Sequence, residues 1–487
     1  MSQVQNGLAS ILQFALQGAP AVETSASDPH SSSSTSSSQI KIRTVQEPPS
    51  LTTKARAVPA SKVGRVLGFG ELAVGLAAGS VSEVFKRGFG GGSSGSVAMS
   101  EANAERLASG LCRMRGSALK LGQMLSIQDE SLLPPYLSQA LERVRQGADI
   151  MPEKQLERVL TNELGVDWRD SFEQFSMKPF ASASLGQVHF GKVDAVPVAV
   201  KVQFPGVADS IDSDFLNLQR LSSVTGIFPK GLFIDRIVEV MKEELREECE
   251  YSKEIQHQEK FRRLLADDQD SFFVPKTYPE LSTNRVLTSE FATGIPIDKV
   301  AALLPQEDLN DIGRKLLKLT LRELFEFRYM QTDPNFSNYL YDLDTRRIVL
   351  LDFGATRSYG REFVDDYLEL VWASSKGDRS RILEQSIKLG FLTGSESQEM
   401  INAHIESGLE VGRPFQRNGD FDFKGSNIAK QMSKHGNTFV NERLVPPPKE
   451  VYSLHRKLSG AYMTCIRIGA VFNCRDMLVE TYDKYPK

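Results

Sequence analysis

The feature that most constrains this 487-residue chain is a spacing of carboxylate and amide side chains past its middle. Asp333 precedes Asn338 by five residues in Gln331-Thr-Asp-Pro-Asn-Phe-Ser-Asn338. Two short strand-like runs follow, Tyr339–Tyr341 and Arg347–Leu351, with turn residues Asp342–Thr345 between them, and they end in Asp352-Phe-Gly354. Apolar and aromatic runs around a polar turn predict a strand pair. Asp352 and Asn338 offer the hard oxygens that Mg²⁺ takes. Asp333 is placed to accept a proton from a nucleophile, or to orient it, beside a terminal phosphate.

Upstream segments supply the other half of a nucleotide site. Val198-Ala-Val-Lys201 is an apolar strand ending in a lysine, after Pro179-Phe-Ala-Ser-Ala-Ser-Leu-Gly-Gln-Val188. A protein-kinase glycine-rich loop reads GxGxxGxV and leads to a VAIK strand. Here the register is AxAxxGxV, with Ala181 and Ala183 in two glycine positions. Alanine stays small but loses easy access to positive φ, which predicts a stiffer loop. Lys201 can reach nucleotide phosphates if a helix carboxylate orients it. One long helix is expected over Ile234 to Leu264, carrying Glu243, Glu244, Glu247, Glu248, Glu250 and Glu254. So many acids read mostly as a solvated face, with Glu254 the partner of Lys201 by register. Arg285–Phe291 reads as a strand, and Ala292-Thr-Gly294 as a hinge after it.

Composition removes several classes. Lys+Arg is 58 against Asp+Glu 62, a net charge of -4, so nothing points to nucleic acid. Cys112, Cys249, Cys465 and Cys474 fall at no metal or redox spacing, which favours a reducing compartment. No apolar run reaches the roughly 18 residues of a membrane span. The first 40 residues hold no Lys or Arg, and Ser31–Ser38 is all serine except Thr35. Such a stretch buries too little to order itself; it is Ser-rich like a transit peptide without the basic amphipathic face. Lys62–Arg87 is rich in small and apolar residues and is interrupted by Glu71 and Glu83. Two readings stand for it, a lipid-touching helix and a buried structural one, before the flexible run Gly88–Ser96.

Ser100-Glu-Ala-Asn-Ala-Glu opens a helix. Its stripe Leu107, Leu111, Met114, Ala118, Leu121, Leu125 steps by 4, 3, 4, 3, 4. Lys120 and Gln123 share a face near its end. Gly122 between them costs about 1 kcal/mol relative to alanine, a sign of close approach.

With these residues in view, the chain resembles the UbiB (aarF-domain) family of atypical kinase-like proteins, in its mitochondrial coenzyme Q branch. The likeness runs from about Lys62 to the C-terminus. It rests on Ala118–Gln128 with its KxGQ motif, the Ala-rich loop Ala181–Ser184, Gln331-Thr-Asp-Pro-Asn335, Leu350–Thr356, Arg443-Leu-Val-Pro-Pro-Pro448 and Tyr452-Ser-Leu-His-Arg-Lys457. The resemblance implies an α+β, protein-kinase-like two-lobed fold with a family-specific helical N-terminal extension over the active site. The segments expected are a disordered leader over 1–60, a membrane-contacting helix and linker over 61–99, the KxGQ extension over 100–177, an N-lobe over 178–293 and a C-lobe over 294–487. It implies ATP or ADP with Mg²⁺, held by Ala181, Ser182, Ala183, Ser184, Lys201 and Glu254. It further implies hinge contacts from Glu290, Phe291, Ala292 and Thr293. Asp333 falls in the catalytic position and Asn338 and Asp352 in the metal positions. Lys120, Gly122 and Gln123 are implied to reach toward the nucleotide, where a protein substrate would sit. The family's ExD motif reads Glu248-Cys-Glu250 here.

The implied role is an ATPase or small-molecule phosphotransferase supporting coenzyme Q (ubiquinone) biosynthesis at the matrix face of the inner mitochondrial membrane. Its implied partners are lipid intermediates, the membrane surface, the other biosynthetic enzymes and a second copy of itself. A nucleotide-gated scaffold is the alternative, and a protein kinase acting in trans a third. Thr332 stands where a kinase catalytic loop carries arginine, and no APE-type segment follows Gly354. Both departures disfavour peptide substrates.

Overall fold

The structure, a computed structural model, describes residues 47–51, 150–183, 185–225, 234–333 and 335–486. The KxGQ element, the Lys62–Arg87 segment and Ser184 lie outside them.

Helix α1 (Glu153–Leu164) precedes an antiparallel sheet of β1 (Gln174–Phe175), β2 (Ala181–Ser182), β3 (Gly186–Val193), β4 (Val196–Gln203) and β6 (Val286–Glu290). Its order is β1-β3-β4-β6, with β2 on β3. Strand β4 alternates as a half-buried strand must. Val198, Val200 and Val202 are fully buried, so the residues between them, Lys201 among them, face the other way. The β3–β4 turn is two residues long, and Asp194 and Ala195 both hold positive φ, 49° and 64°, as a primed hairpin turn needs. Residues 47–51 fall in the segment expected to be disordered. They run instead along this lobe, where the Leu51 N–H donates to the Pro179 carbonyl at 2.8 Å and Glu47 accepts from Gln174 at 2.9 Å.

The apolar side of the sheet packs with α1, Trp168, α2 (Val207–Thr225) and α3 (Ile234–Glu248) into one core. The single helix expected over 234–264 is two, α3 and α4 (Tyr251–Leu264), broken at Cys249-Glu250. Tertiary bonds claim the break. The Cys249 carbonyl accepts from Gln203 Nε2 at 2.9 Å, and the Tyr251 N–H donates to the Asn284 carbonyl at 3.0 Å.

The second core is mainly helical. It is built on α5 (Gln306–Leu321), α6 (Arg361–Lys376), α7 (Arg379–Lys388), α8 (Gln398–Gly412) and a later long helix, α11 (Lys449–Ile468), with the short α9 (Ile428–Ser433) and α10 (Gly436–Glu442) before it and α12 (Arg475–Lys484) after it. A small sheet runs β5 (Phe272–Phe273), β10 (Arg347–Leu350), β9 (Tyr339–Asp342), β7 (Ile295–Pro296). Strand β8 (Tyr329–Gln331) pairs with β11 (Thr356–Ser358). The β9–β10 pair is the expected hairpin, in register Leu350↔Tyr339. Among the described residues, no helix is long and apolar enough to cross a membrane.

Candidate active site

Helix α4 buries one stripe, Tyr251, Glu254, Gln258 and Phe261, at the 3-and-4 spacing of a single helix face. Its first turn meets β4. Lys201 Nζ donates to both Glu254 oxygens, at 2.8 and 2.9 Å, and to Asp352 Oδ2 at 3.2 Å. Glu254 is 2% exposed, Lys201 15% and Asp352 30%, so the triangle opens only on the Asp352 side. Burial opposes the charge on Lys201, but Asp352 and Glu254 together hold its ammonium protonated well above the usual lysine range. Two carboxylates share one cation, and burial pushes the deeper of them, Glu254, up to about 7 against the pull of Lys201. The Tyr251 ring lies under the same ammonium, 4.9 Å from its centroid.

The hairpin explains how residues so far apart in the chain meet. Antiparallel pairing of Leu350 with Tyr339 sets the residue before β9 beside those after β10. The Leu351 N–H accordingly donates to the Asn338 carbonyl at 3.0 Å. Asn338 and Asp352 therefore share one edge. The Asn338 side chain is buried, and its Nδ2 has no hydrogen-bond partner among the described residues. Asp352 Oδ1 accepts the Gly354 N–H at 3.0 Å. An amide and a carboxylate on one edge, beside a lysine, fit a small hard cation with bound phosphate. Asp333 follows β8, with its Oδ1 accepting the Asn335 N–H at 3.2 Å. The Thr332 N–H donates to the Ala355 carbonyl at 2.8 Å, which sets that loop against the Asp-Phe-Gly turn.

The Ala-rich loop is a tight turn, with Ala181 opposite Val188, Ser182 opposite Gln187 and the Ala183 N–H donating to the Gly186 carbonyl at 2.8 Å. Ser182 Oγ is buried and has no hydrogen-bond partner among the described residues, an orphan that a phosphate oxygen would satisfy. Gly186 fills the last glycine position of the loop. A Cβ there would lie 2.5 Å from the Val202 carbonyl oxygen and 2.8 Å from the Tyr251 hydroxyl. At the hinge, the Glu290 N–H donates to the Lys276 carbonyl at 2.8 Å and the Phe291 N–H to the Pro197 carbonyl at 2.9 Å. The Phe291 ring packs on Phe180 and Phe190. Those two N–H groups are committed, so a base edge that needs a donor would meet Ala292 or Thr293.

The acidic run is not mostly a solvated face. Glu244, Glu248 and Glu254 are all buried. Glu244 takes a bidentate pair from Arg456 of α11, at 3.0 and 3.0 Å. Glu247 pairs with Arg357 at 2.9 Å. Glu248 Cγ and Glu254 Oε2 both pack on Gly354, 3.4 and 3.5 Å from where a Cβ would stand. Glu250 turns outward to Lys253 at 2.9 Å, both about half exposed. Sequence reasoning missed Glu244, Tyr251 and Arg456. The helical register of Glu244 with Glu248 is a usable signal, and Arg456 lies inside the C-terminal Tyr452–Lys457 segment, where nothing local marks its partner.

The ABC1 atypical kinase-like domain matches residues 143–386. "Atypical kinase COQ8B, mitochondrial" of Rattus norvegicus is 47% identical over 438 residues, covering 89% of this chain and 83% of that protein. "Atypical kinase COQ8, mitochondrial" of Saccharomyces cerevisiae is 41% identical over 441 residues, covering 88% and 87%. Among solved structures, the Rv3197–erythromycin complex from Mycobacterium tuberculosis aligns with a TM-score of 0.56 at 23% identity, over 78% of this chain and 96% of that one, a likeness of fold alone. With a family model matching residues 143–386 and relatives matching over most of its length, the chain belongs to the ABC1 atypical kinase-like family.

Proposed function

We propose that the protein binds ATP with Mg²⁺ and turns it over, by hydrolysis or by transfer to a small non-protein acceptor, in support of coenzyme Q biosynthesis in the mitochondrion. One observation carries the reading: the ammonium of Lys201 is shared between buried Glu254 and half-open Asp352, on the edge that also presents Asn338. Lys201 orients the α- and β-phosphates. Asp352 and Asn338 would hold the metal, which supplies charge neutralisation on the phosphates when bound. Asp333 positions the attacking oxygen and accepts its proton. Ser182 and the backbone of Ala181 and Ala183 close over the phosphates, and Ser184 is assigned to the same loop from the sequence. Lys120, Gly122 and Gln123 are assigned to the same chamber from the sequence, as the element that keeps peptides out. Names of the mitochondrial relatives support the pathway and compartment. The matrix face of the inner membrane, lipid intermediates and the other biosynthetic enzymes belong to the same proposal.

The test is Mg²⁺-dependent ATP turnover by the full chain, wild type against Asp352→Asn. A drop in kcat on the order of 10²-fold or more is expected when a metal-holding carboxylate is lost. Wild-type turnover no faster than that of the variant, with pathway output nevertheless lost in the variant, would make the nucleotide-gated scaffold the correct function.

A further inference from the structure

A protein-kinase catalytic loop carries arginine just before its catalytic aspartate, and this chain carries Thr332. The space is nonetheless served by an arginine. Arg456, 124 residues further along the chain, enters from α11 and donates from Nε to the Thr332 carbonyl at 3.2 Å and from Nη2 to Thr332 Oγ1 at 3.3 Å. The same guanidinium forks onto Glu244 of α3 at 3.0 Å on both arms. Arg456 is 12% exposed and Glu244 4%, so the pair is nearly dry and rigid. Thr332 passes the restraint on, since its N–H and its hydroxyl both donate to the Ala355 carbonyl at 2.8 Å. One planar fork thus ties the acidic helix, the residue before Asp333 and the segment after Asp-Phe-Gly.

The next residue anchors the other flank. Lys457 Nζ donates to Gln331 Oε1 at 3.2 Å and Tyr339 OH at 2.9 Å, and pairs with Glu323 at 2.9 Å. Glu323 in turn accepts the Gln331 N–H at 3.2 Å. Consecutive cations of one helix therefore grip consecutive residues of the loop, Thr332 and Gln331.

We infer that Arg456 is the positioning residue for Asp333. It does the work of the missing loop arginine, and buried Glu244 engages it permanently where a kinase uses an added phosphate. The loop is thereby held in its working geometry without phosphorylation. The inference rests on the phosphoryl-transfer reading for its kinetic readout, but it also has a structural one.

The experiment uses the full chain in wild-type, Arg456→Lys, Arg456→Gln, Glu244→Gln and doubly neutralised Arg456→Gln/Glu244→Gln forms. It reads kcat, KM for MgATP, ADP affinity and amide hydrogen exchange. Arg456→Gln should lower kcat on the order of 10- to 100-fold, as small misplacements of a reacting group do, with KM and ADP affinity changed less than about threefold. Arg456→Lys keeps the charge without the fork and should recover only part of kcat. The double variant removes both charges of the Arg456–Glu244 pair together, so neither is left facing a neutral partner. It should fold as wild type does yet stay as slow as Arg456→Gln, showing non-additive coupling. Exchange should rise at residues 331–333 and 354–356 and not in β3 or β4. Phosphatase treatment of the wild type should leave kcat unchanged. Equal falls in kcat and ADP affinity, wild-type kcat and exchange in the double variant, or a phosphatase-sensitive kcat would each overturn the inference. If the wild type turns over no ATP, the proposed function fails and exchange alone decides: faster exchange confined to those two segments upholds the positioning role, and unchanged exchange removes it.

Discussion

Glu254 carries the sharpest pH dependence at the residue scale. Burial pushes it from the ordinary 4.5 up to about 7 although Lys201 pulls the other way. Its ionised form shares the Lys201 ammonium with Asp352; its protonated form leaves Asp352 as the lysine's remaining carboxylate. An oxygen of Asp352 that neutralises an ammonium is a poorer ligand for a divalent cation. MgADP affinity should therefore weaken several-fold from pH 8 to pH 6, and Glu254→Gln should be weak at both and flat between them, by titration calorimetry. The stability contribution of the same group has the opposite sign. A carboxyl whose folded pKa lies above its unfolded value favours the folded state at low pH, and that contribution declines as the pH rises from about 4.5 to about 7. Affinity rising while the unliganded protein's stability falls across that window distinguishes Glu254 from general acid unfolding. Parallel trends in the two would assign the pH effect to another group.

Elements were legible where local pattern and tertiary need agree. The β9–β10 hairpin, the alternation of β4 and the pairing of Lys201 with Glu254 all follow from spacing, because each is a short-range pattern or a register on one face. The break at Cys249-Glu250 was not legible, since bonds from Gln203 and Asn284 make it and neither lies near it in sequence. The buried acids were misread for a related reason. Glu244 is dry only because Arg456 arrives from the far end of the chain to pair with it. The β3–β4 turn shows a local misfit that the fold overrides. Ala195 sits at φ 64°, where a side chain costs roughly 1–2 kcal/mol, although aspartate followed by glycine is the favoured pair for such a turn. Ala195→Gly should stabilise the protein by about 1 kcal/mol in urea unfolding, because relief of that strain exceeds the added freedom of glycine in the unfolded chain. The bond from the Ala195 N–H to the Glu173 carboxylate at 3.0 Å survives the change. A destabilised variant would show that the turn leaves its positive-φ form in solution.

At the scale of the whole molecule, α4 joins the two cores. Tyr251 and Glu254 at its start face β4, and Phe261, two turns on, is fully buried in the larger core. Phe261 packs 5.0 Å from the ring of Phe353, the middle residue of Asp-Phe-Gly, and 5.4 Å from Tyr329 of β8. The phenyl thus fixes the height of the helix that presents Glu254 to Lys201, and the same contact seats the turn that presents Asp352. Phe261→Ala removes about 3–5 kcal/mol by analogy with other buried phenylalanines, a large share of the 5–15 kcal/mol typical of a domain. Lost packing alone would lower stability and leave the affinity of the folded fraction unchanged. Here the helix that carries Glu254 and the turn that carries Asp352 both lose their seat. The folded fraction should therefore also bind MgADP more weakly, by roughly tenfold if about 1.4 kcal/mol of preorganisation is lost. Phe261→Leu, which keeps most of the volume, should recover most of both quantities. Calorimetric affinity measured on the folded variant, with stability measured separately by denaturant, makes the two effects separable. A Phe261→Ala protein that is destabilised yet binds MgADP as tightly as wild type would show that Lys201, Glu254 and Asp352 are held together by their own ion pairs, without help from the core beneath them.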